Sequence, residues 1–221
     1  MASSRKIKIE IINLGITNYN EVWQTQKKYF EELLQAKIQG KKISKNYIIT
    51  CQHKHVITLG KSGNENNFKN SNFPDVEFVK IDRGGDITYH GPGQLVVYPI
   101  LDLENFNLSL RKYIYTLEQA VINTLQDYNI KSGRIDEFTG VWINPNTKNA
   151  RKIAAIGVKS SRYVTMHGLA FNINPDLNYF NLIIPCGLVG KEVTSIEKEL
   201  NRKVDFEKVR KNFISELINN F

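Results

Sequence analysis

An α+β fold is predicted for this 221-residue chain by three features. Segments with strand spacing and segments with helical spacing do not alternate regularly, which argues against a doubly wound parallel sheet. No period of about 20–50 residues recurs, so a repeat array is excluded. No long linker interrupts the pattern, and residues 1–221 read as a single domain. A chain of this length buries a sizeable core without disulfide staples.

The elements follow in order. Alternating Ile7, Ile9 and Ile11 predict a strand over residues 6–14. Tyr19, Val22, Trp23, Phe30, Leu33 and Leu34 recur at helical spacing across 18–38, with Gly40 as the stop. Residues 46–51 and 55–60 read as short strands around a turn, 64–72 as a polar Asn-rich loop and 76–81 as another strand. A glycine-rich loop over 83–94 precedes the apolar run 95–100, a buried strand. Leu110, Tyr113, Ile114, Leu117, Val121 and Leu125 mark a helix over 109–127. Strands at 139–143 and 152–159 are joined by the hairpin-like Asn144-Pro145-Asn146-Thr147, and a third spans 163–173. The last helix, 205–219, is capped by Asp205 and buries Phe206, Val209, Phe213 and Leu217.

Composition bounds the function. Hydrophobic residues make up 41% and charged residues 24%, a globular balance that rules out wholesale disorder. The formal charge is +8, which favours an acidic partner such as nucleic acid, an anionic membrane surface or an acidic protein. Two cysteines, Cys51 and Cys186, are too few for a disulfide scaffold or a four-thiolate zinc site and suit a reducing compartment. No apolar run approaches the ~18 residues of a membrane helix. The first ten residues lack the apolar core of a secretion signal, so a cytoplasmic protein is expected.

Several motifs are weighed by what their chemistry requires. Gly60-Lys61-Ser62 ends like a phosphate-binding loop, but that motif needs glycine where His55 stands, and no GxGxxG run occurs. His53 and His55, near Cys51, read as solvated strand-end histidines rather than metal ligands. Arg83-Gly84-Gly85-Asp86-Ile87-Thr88-Tyr89-His90-Gly91-Pro92-Gly93-Gln94 holds four glycines and a proline, more than a turn requires. Such a loop lets backbone N–H groups approach a ligand while Arg83 and His90 add polar contact. From 138 to 175 there is no Asp or Glu, while Lys148, Arg151, Lys152, Lys159 and Arg162 offer a basic docking surface or a solvated face. In Ile183-Ile184-Pro185-Cys186-Gly187-Leu188 the thiol is either a nucleophile or inert core; reactivity would need a neighbouring Lys or His.

The glycine-rich segment resembles the signature loop of the lipoyl(octanoyl)transferase family. Gly140-Val141-Trp142-Ile143, Lys152-Ile153-Ala154-Ala155-Ile156-Gly157-Val158 and His167-Gly168-Leu169-Ala170-Phe171-Asn172 follow in the family's order, and Pro185-Cys186-Gly187 falls where the family carries its nucleophile. The resemblance spans about residues 45–200. It implies a mixed β-sheet packed by helices, like the catalytic domain of biotin and lipoate protein ligases. It implies transfer of octanoate from octanoyl-acyl carrier protein to a lysine of lipoyl domains, the first step of endogenous protein lipoylation. Carried over, Cys186 is the acyl-thioester nucleophile and Lys152 lowers its pKa. Arg83, Gly84, Gly85, Asp86, Ile87, Thr88, Tyr89 and His90, with Ala155, Ile156, Gly157, Gly168, Leu169 and Ala170, match the substrate-binding segments.

No cofactor, ATP or metal is expected. The expected partners are acyl carrier protein, lipoyl domains of 2-oxo acid dehydrogenase complexes and the glycine cleavage carrier protein, with a monomeric enzyme. Two rivals remain. An ATP-dependent lipoate or biotin ligase on the same fold would adenylate a free acid. A basic nucleic-acid-binding module would interleave aromatic and basic residues on one surface, whereas most aromatics here follow core spacing.

Overall fold

The computed structural model describes residues 7–69, 75–184 and 192–221. Cys186, the nucleophile implied by the resemblance, lies outside the described residues, as does part of the 64–72 loop. Among the described residues the fold is α+β: one large mixed sheet, one small sheet and helices on both faces of the large sheet.

The large sheet runs β1 (Lys8–Thr17), β2 (Lys45–His53), β6 (Gln94–Ile100), β10 (Val164–Asn172), β9 (Arg151–Ser161), β8 (Phe138–Ile143) and β7 (Ser132–Ile135), with β11 (Glu192–Val193) paired to β9. β1 and β2 are parallel, joined through helix α1 (Tyr19–Ile38), and the ladders from β2 to β7 are antiparallel. β6, with its apolar run, and β10 are buried along their whole length because each has a strand on either side and a helix layer on either face.

Alternation then sorts side chains between two cores. Val96, Tyr98 and Ile100 of β6 pack with Val22, Phe30 and Leu33 of α1. Leu95 and Val97 face the other way, onto α2 (Leu110–Gln126) and α4 (Phe206–Asn219), through Leu117, Val121, Phe213 and Leu217. Asp205 caps α4 as expected, accepting from the Lys208 N–H at 3.1 Å.

The small sheet is β4 (Glu77–Lys80), β3 (Val56–Leu59) and β5 (Ile87–His90). One expectation is refined here and one changes. The segments 46–51 and 55–60 are strands on either side of a bend, as expected, but they do not pair with each other: the chain leaves the large sheet at His53, and β3 enters the small one. The middle of the glycine-rich segment is strand rather than loop, because Ile87-Thr88-Tyr89-His90 completes an antiparallel ladder with β3. Strands β7 and β11 and the short helix α3 (Ile196–Leu200) carry no sequence pattern long enough to announce them.

Candidate active site

A cleft of about 540 Å³ lies where the Arg83–Asp86 turn and β5 of the small sheet face β9 and β10 of the large one. Close backbone approach builds it. The Gly84 N–H donates to the Val158 carbonyl at 3.0 Å, tying the turn to β9. A Cβ on Gly157 would stand 2.8 Å from the Gly84 carbonyl oxygen, and one on Gly60 2.2 Å from that of Gly85. Gly85 has φ +84°, open to glycine without strain. Gly60-Lys61-Ser62 serves as the turn's brace: the Lys61 N–H donates to the Arg83 carbonyl and the Ser62 hydroxyl to the Gly85 carbonyl.

Ala155, Ile156, Leu169, Ala170 and Val96 supply apolar wall, extended by Leu110, Ile114 and Phe138. The polar groups come from several elements. Arg83 is buried, with Nη2 donating to the Thr58 carbonyl and hydroxyl, both at 3.0 Å. Lys152 lines the cleft with its ammonium 4.7 Å from the centre of the Trp142 ring. Asp86 is largely committed to folding, accepting from the Asn64 N–H and the Asn67 amide.

Three histidines gather around this cleft in neutral form. Burial pulls His90 down to about 3 and both His53 and His167 down to about 4. His90 holds Gln94 through Nδ1 at 2.7 Å, and His167 holds Asp82 through Nε2 at 2.8 Å. Burial alone would raise the Asp82 carboxyl, but hydrogen bonds from Lys159 and His167 outweigh it and bring the group to about 2. Tyr19 and Tyr98 complete the polar wall, and burial pushes both phenols up.

A model of the family described as lipoyl protein ligase A/B catalytic domain matches residues 18–218. The chain belongs to this family. It is 49% identical over 216 residues to the octanoyltransferase of Bacteroides thetaiotaomicron, covering 96% of this chain and 94% of the relative. It is 48% identical over 217 residues to that of Christiangramia forsetii, covering 94% and 93%. Within the lipoyl protein ligase family it stands with the octanoyltransferases, which are acyltransferases. A bipartite lipoate protein ligase from Thermoplasma acidophilum shares the fold, with a TM-score of 0.70 at 14% identity, covering 97% of this chain and 84% of that one.

Against that family framework, the segments singled out in the sequence converge. Arg83, Gly84, Gly85, Asp86, Ile87, Thr88 and His90 line the cleft with Ala155, Ile156, Gly157, Gly168, Leu169, Ala170 and Lys152. Tyr89 does not. Its ring packs into a cluster with Ile57 and Leu59, where its hydroxyl meets His55 Nδ1 at 2.7 Å. The expected solvation of His53 fails, since it is fully buried against Tyr98, whereas His55 is half-buried and stacks on Tyr179. The basic run from 138 to 175 has countercharge from elsewhere in the chain, with Arg151 paired to Glu199 and Lys159 to Asp82. Tyr19, Tyr98, Asp82 and the α2 residues Leu110 and Ile114 were missed, since only the fold brings helix residues to a strand-built cleft.

Proposed function

We propose that this enzyme moves an octanoyl group from the thioester of octanoyl-acyl carrier protein to a lysine of a lipoyl domain, through a thioester on Cys186. The observation that carries the reading is convergence: three separate signature segments and Lys152 line one largely apolar cleft in a chain about half identical to octanoyltransferases. Burying an alkyl chain contributes about 0.8 kcal/mol per CH2, which makes such a cleft a suitable acyl site.

A free thiol near pKa 8.5 is only a few per cent thiolate at neutral pH, and a cation within about 4–6 Å lowers it by roughly 1–3 units. Lys152 supplies that cation in this proposal. In its support, β11, which follows the nucleophile segment, pairs with β9 at Lys152 itself, Val193 opposite Lys152. The thiolate attacks the carrier thioester and expels the carrier's thiol. The target amine then attacks the enzyme thioester, forming the amide and releasing the cysteine sulfur. Thioester exchange is nearly isoenergetic and amide formation downhill, so the scheme needs neither ATP nor a metal. Backbone N–H groups of the glycine-rich loop, or of residues 155–157 and 168–170, stabilise the tetrahedral oxyanion in this scheme.

The acidic carrier and lipoyl domains of 2-oxo acid dehydrogenase complexes and of the glycine cleavage system are the proposed partners, met in the cytoplasm by a monomer. No helix among the described residues is long and apolar enough to cross a membrane. The likeness in fold to a lipoate protein ligase keeps one rival in play, ATP-dependent activation of a free acid. Intact mass after mixing with octanoyl-acyl carrier protein, without ATP, separates them. One octanoyl adduct, labile to hydroxylamine and absent from Cys186→Ala, is expected. Product from free octanoate and ATP, with no adduct from the carrier, would overturn the proposal.

A further inference from the structure

We infer that an unpaired backbone rung of β9 at Ile156 binds an amide of the carrier's pantetheine arm. The inference rests on the octanoyl-transfer reading and assigns the donor a contact apart from its acyl chain. The Gly84 N–H donates to the Val158 carbonyl, so at Val158 the β9 backbone points away from β10. In an antiparallel ladder backbone direction alternates from residue to residue, so Ile156 points the same way. Ala154 does too, and it pairs with Val141 of β8. β8 does not continue to Ile156. Gly140 leaves the ladder at φ +125° and gives its N–H to Glu118 at 2.9 Å. The N–H and C=O of Ile156 and the N–H of Val158 therefore have no hydrogen-bond partner among the described residues.

The cleft reaches this rung. Ala155, Ile156, Gly157 and Val158 all line it, although Ile156 and Val158 pack toward the core under α2 and α4 while Gly157 faces Arg83 on the opposite side. A cavity that touches both faces of one strand passes around the strand's edge. Gly84 and Gly85 line it on one side of the rung, Phe138 and Thr139 on the other. A secondary amide matches what the rung offers, since it donates and accepts at once. An anion would be repelled by the Ile156 carbonyl.

Length decides which amide fits. The occupied positions at Ala154 and Val158 stand four residues apart, about 13 Å at about 3.3 Å per residue. A peptide strand of ordinary length, about 17–20 Å, would run into β8 at one end and the glycine-rich turn at the other. The pantetheine arm is a slender chain with two isolated secondary amides, and one of them fills a single rung without a strand on either side of it.

Hydrogen exchange read by NMR on the full chain tests the rung directly. In the free protein the Ile156 N–H exchanges faster than the Gly157 N–H, which the β10 ladder holds. S-octyl pantetheine, a thioether that cannot acylate the enzyme, slows Ile156 exchange by about tenfold or more. Titration then compares the S-octyl thioether of N-acetylcysteamine with its O-acetyl ester counterpart, which lacks the N–H. The ester binds about tenfold more weakly, the expected loss of one hydrogen bond. Equal affinity of the two, or Ile156 exchange unmoved by saturating S-octyl pantetheine, would overturn the assignment. Protection by octanoate alone, or by a lipoyl domain and not by S-octyl pantetheine, overturns it as well, giving the rung to the acyl head or to the acceptor polypeptide. Protein that takes no octanoyl group from octanoyl-acyl carrier protein defeats the octanoyl-transfer reading itself. Protein that takes the group with Ile156 unprotected defeats this assignment alone.

Discussion

Three imidazoles buried in one small region make the protein sensitive to acid. His53, His90 and His167 each titrate in the unfolded chain near about 6.5, whereas burial holds them at about 4, 3 and 4 in the fold. Between those values the unfolded state binds protons that the native state refuses, so stability is full above pH ~6.5 and is lost as pH falls toward 4. Each ring contributes a slope of up to about 1.4 kcal/mol per pH unit in that window. Chemical denaturation between pH 7 and 4.5 should show this decline, and His53→Gln should flatten it. A stability profile level across that range would contradict the burial argument. Asp82, held at about 2, adds its own loss only lower, as pH falls through the range from about 3.8 to 2.

At the scale of elements, the cleft depends on how α2 is fastened to the strands beside it. Glu118 of α2 is 7% exposed and accepts from Arg134 Nε at 2.8 Å and from the Gly140 N–H at 2.9 Å, so one carboxylate joins helix, β7 and β8. Glu118→Ala leaves a partly exposed guanidinium edge and a buried amide without that partner. A loss of about 3 kcal/mol is expected, read as a lower denaturation midpoint. The glycine-rich turn behaves differently. Gly157→Ala drives a methyl against the Gly84 carbonyl and Arg83 Cδ, at 2.8 and 3.0 Å, forcing the turn off β9. Overpacking of this kind costs about 1–3 kcal/mol. Because the displaced segment is cleft wall, acyl transfer should fall about tenfold or more at temperatures where the protein is still folded, measured by transfer assay beside a melting curve. Asp205→Ala, remote from the cleft, should cost about 1 kcal/mol through the lost cap and leave transfer unchanged.

Across the whole molecule, the +8 charge is the property that acts at a distance. Tertiary pairing cancels some of the basic run that looked unbalanced in the sequence, since Arg151 and Lys159 have carboxylate partners. The net field survives that pairing, because pairing moves charges together without changing their sum. Encounter with an acidic carrier should therefore slow as salt is raised, the Debye length shrinking from about 10 Å at 0.1 M to about 3 Å at 1 M. The expected signature is a salt-dependent kcat/KM for the carrier with little change in the rate of amide formation from preformed acyl-enzyme. Salt-independent kcat/KM would remove electrostatic steering while leaving the chemistry untouched.

The long periodic elements were legible from side-chain spacing alone, because a stripe of apolar residues has only one way to be buried. Thus α1, α2 and α4 match the helices read from Tyr19, Leu110 and Asp205 onward, and β6 matches its apolar run. The resemblance located the cleft segments, since glycines at 84, 157 and 168 mark places where backbone meets backbone. Spacing could not tell that β2 and β3 part into different sheets, that Tyr89 turns away from the cleft, or that His53 is core. Those outcomes depend on which strand pairs with which, and pairing is a contact between residues far apart in the chain. The same holds for Asp82 and His167, whose hydrogen bond spans 85 positions. Residue type sets what each group can do, and tertiary proximity sets the partner that decides its tautomer, its charge and its use.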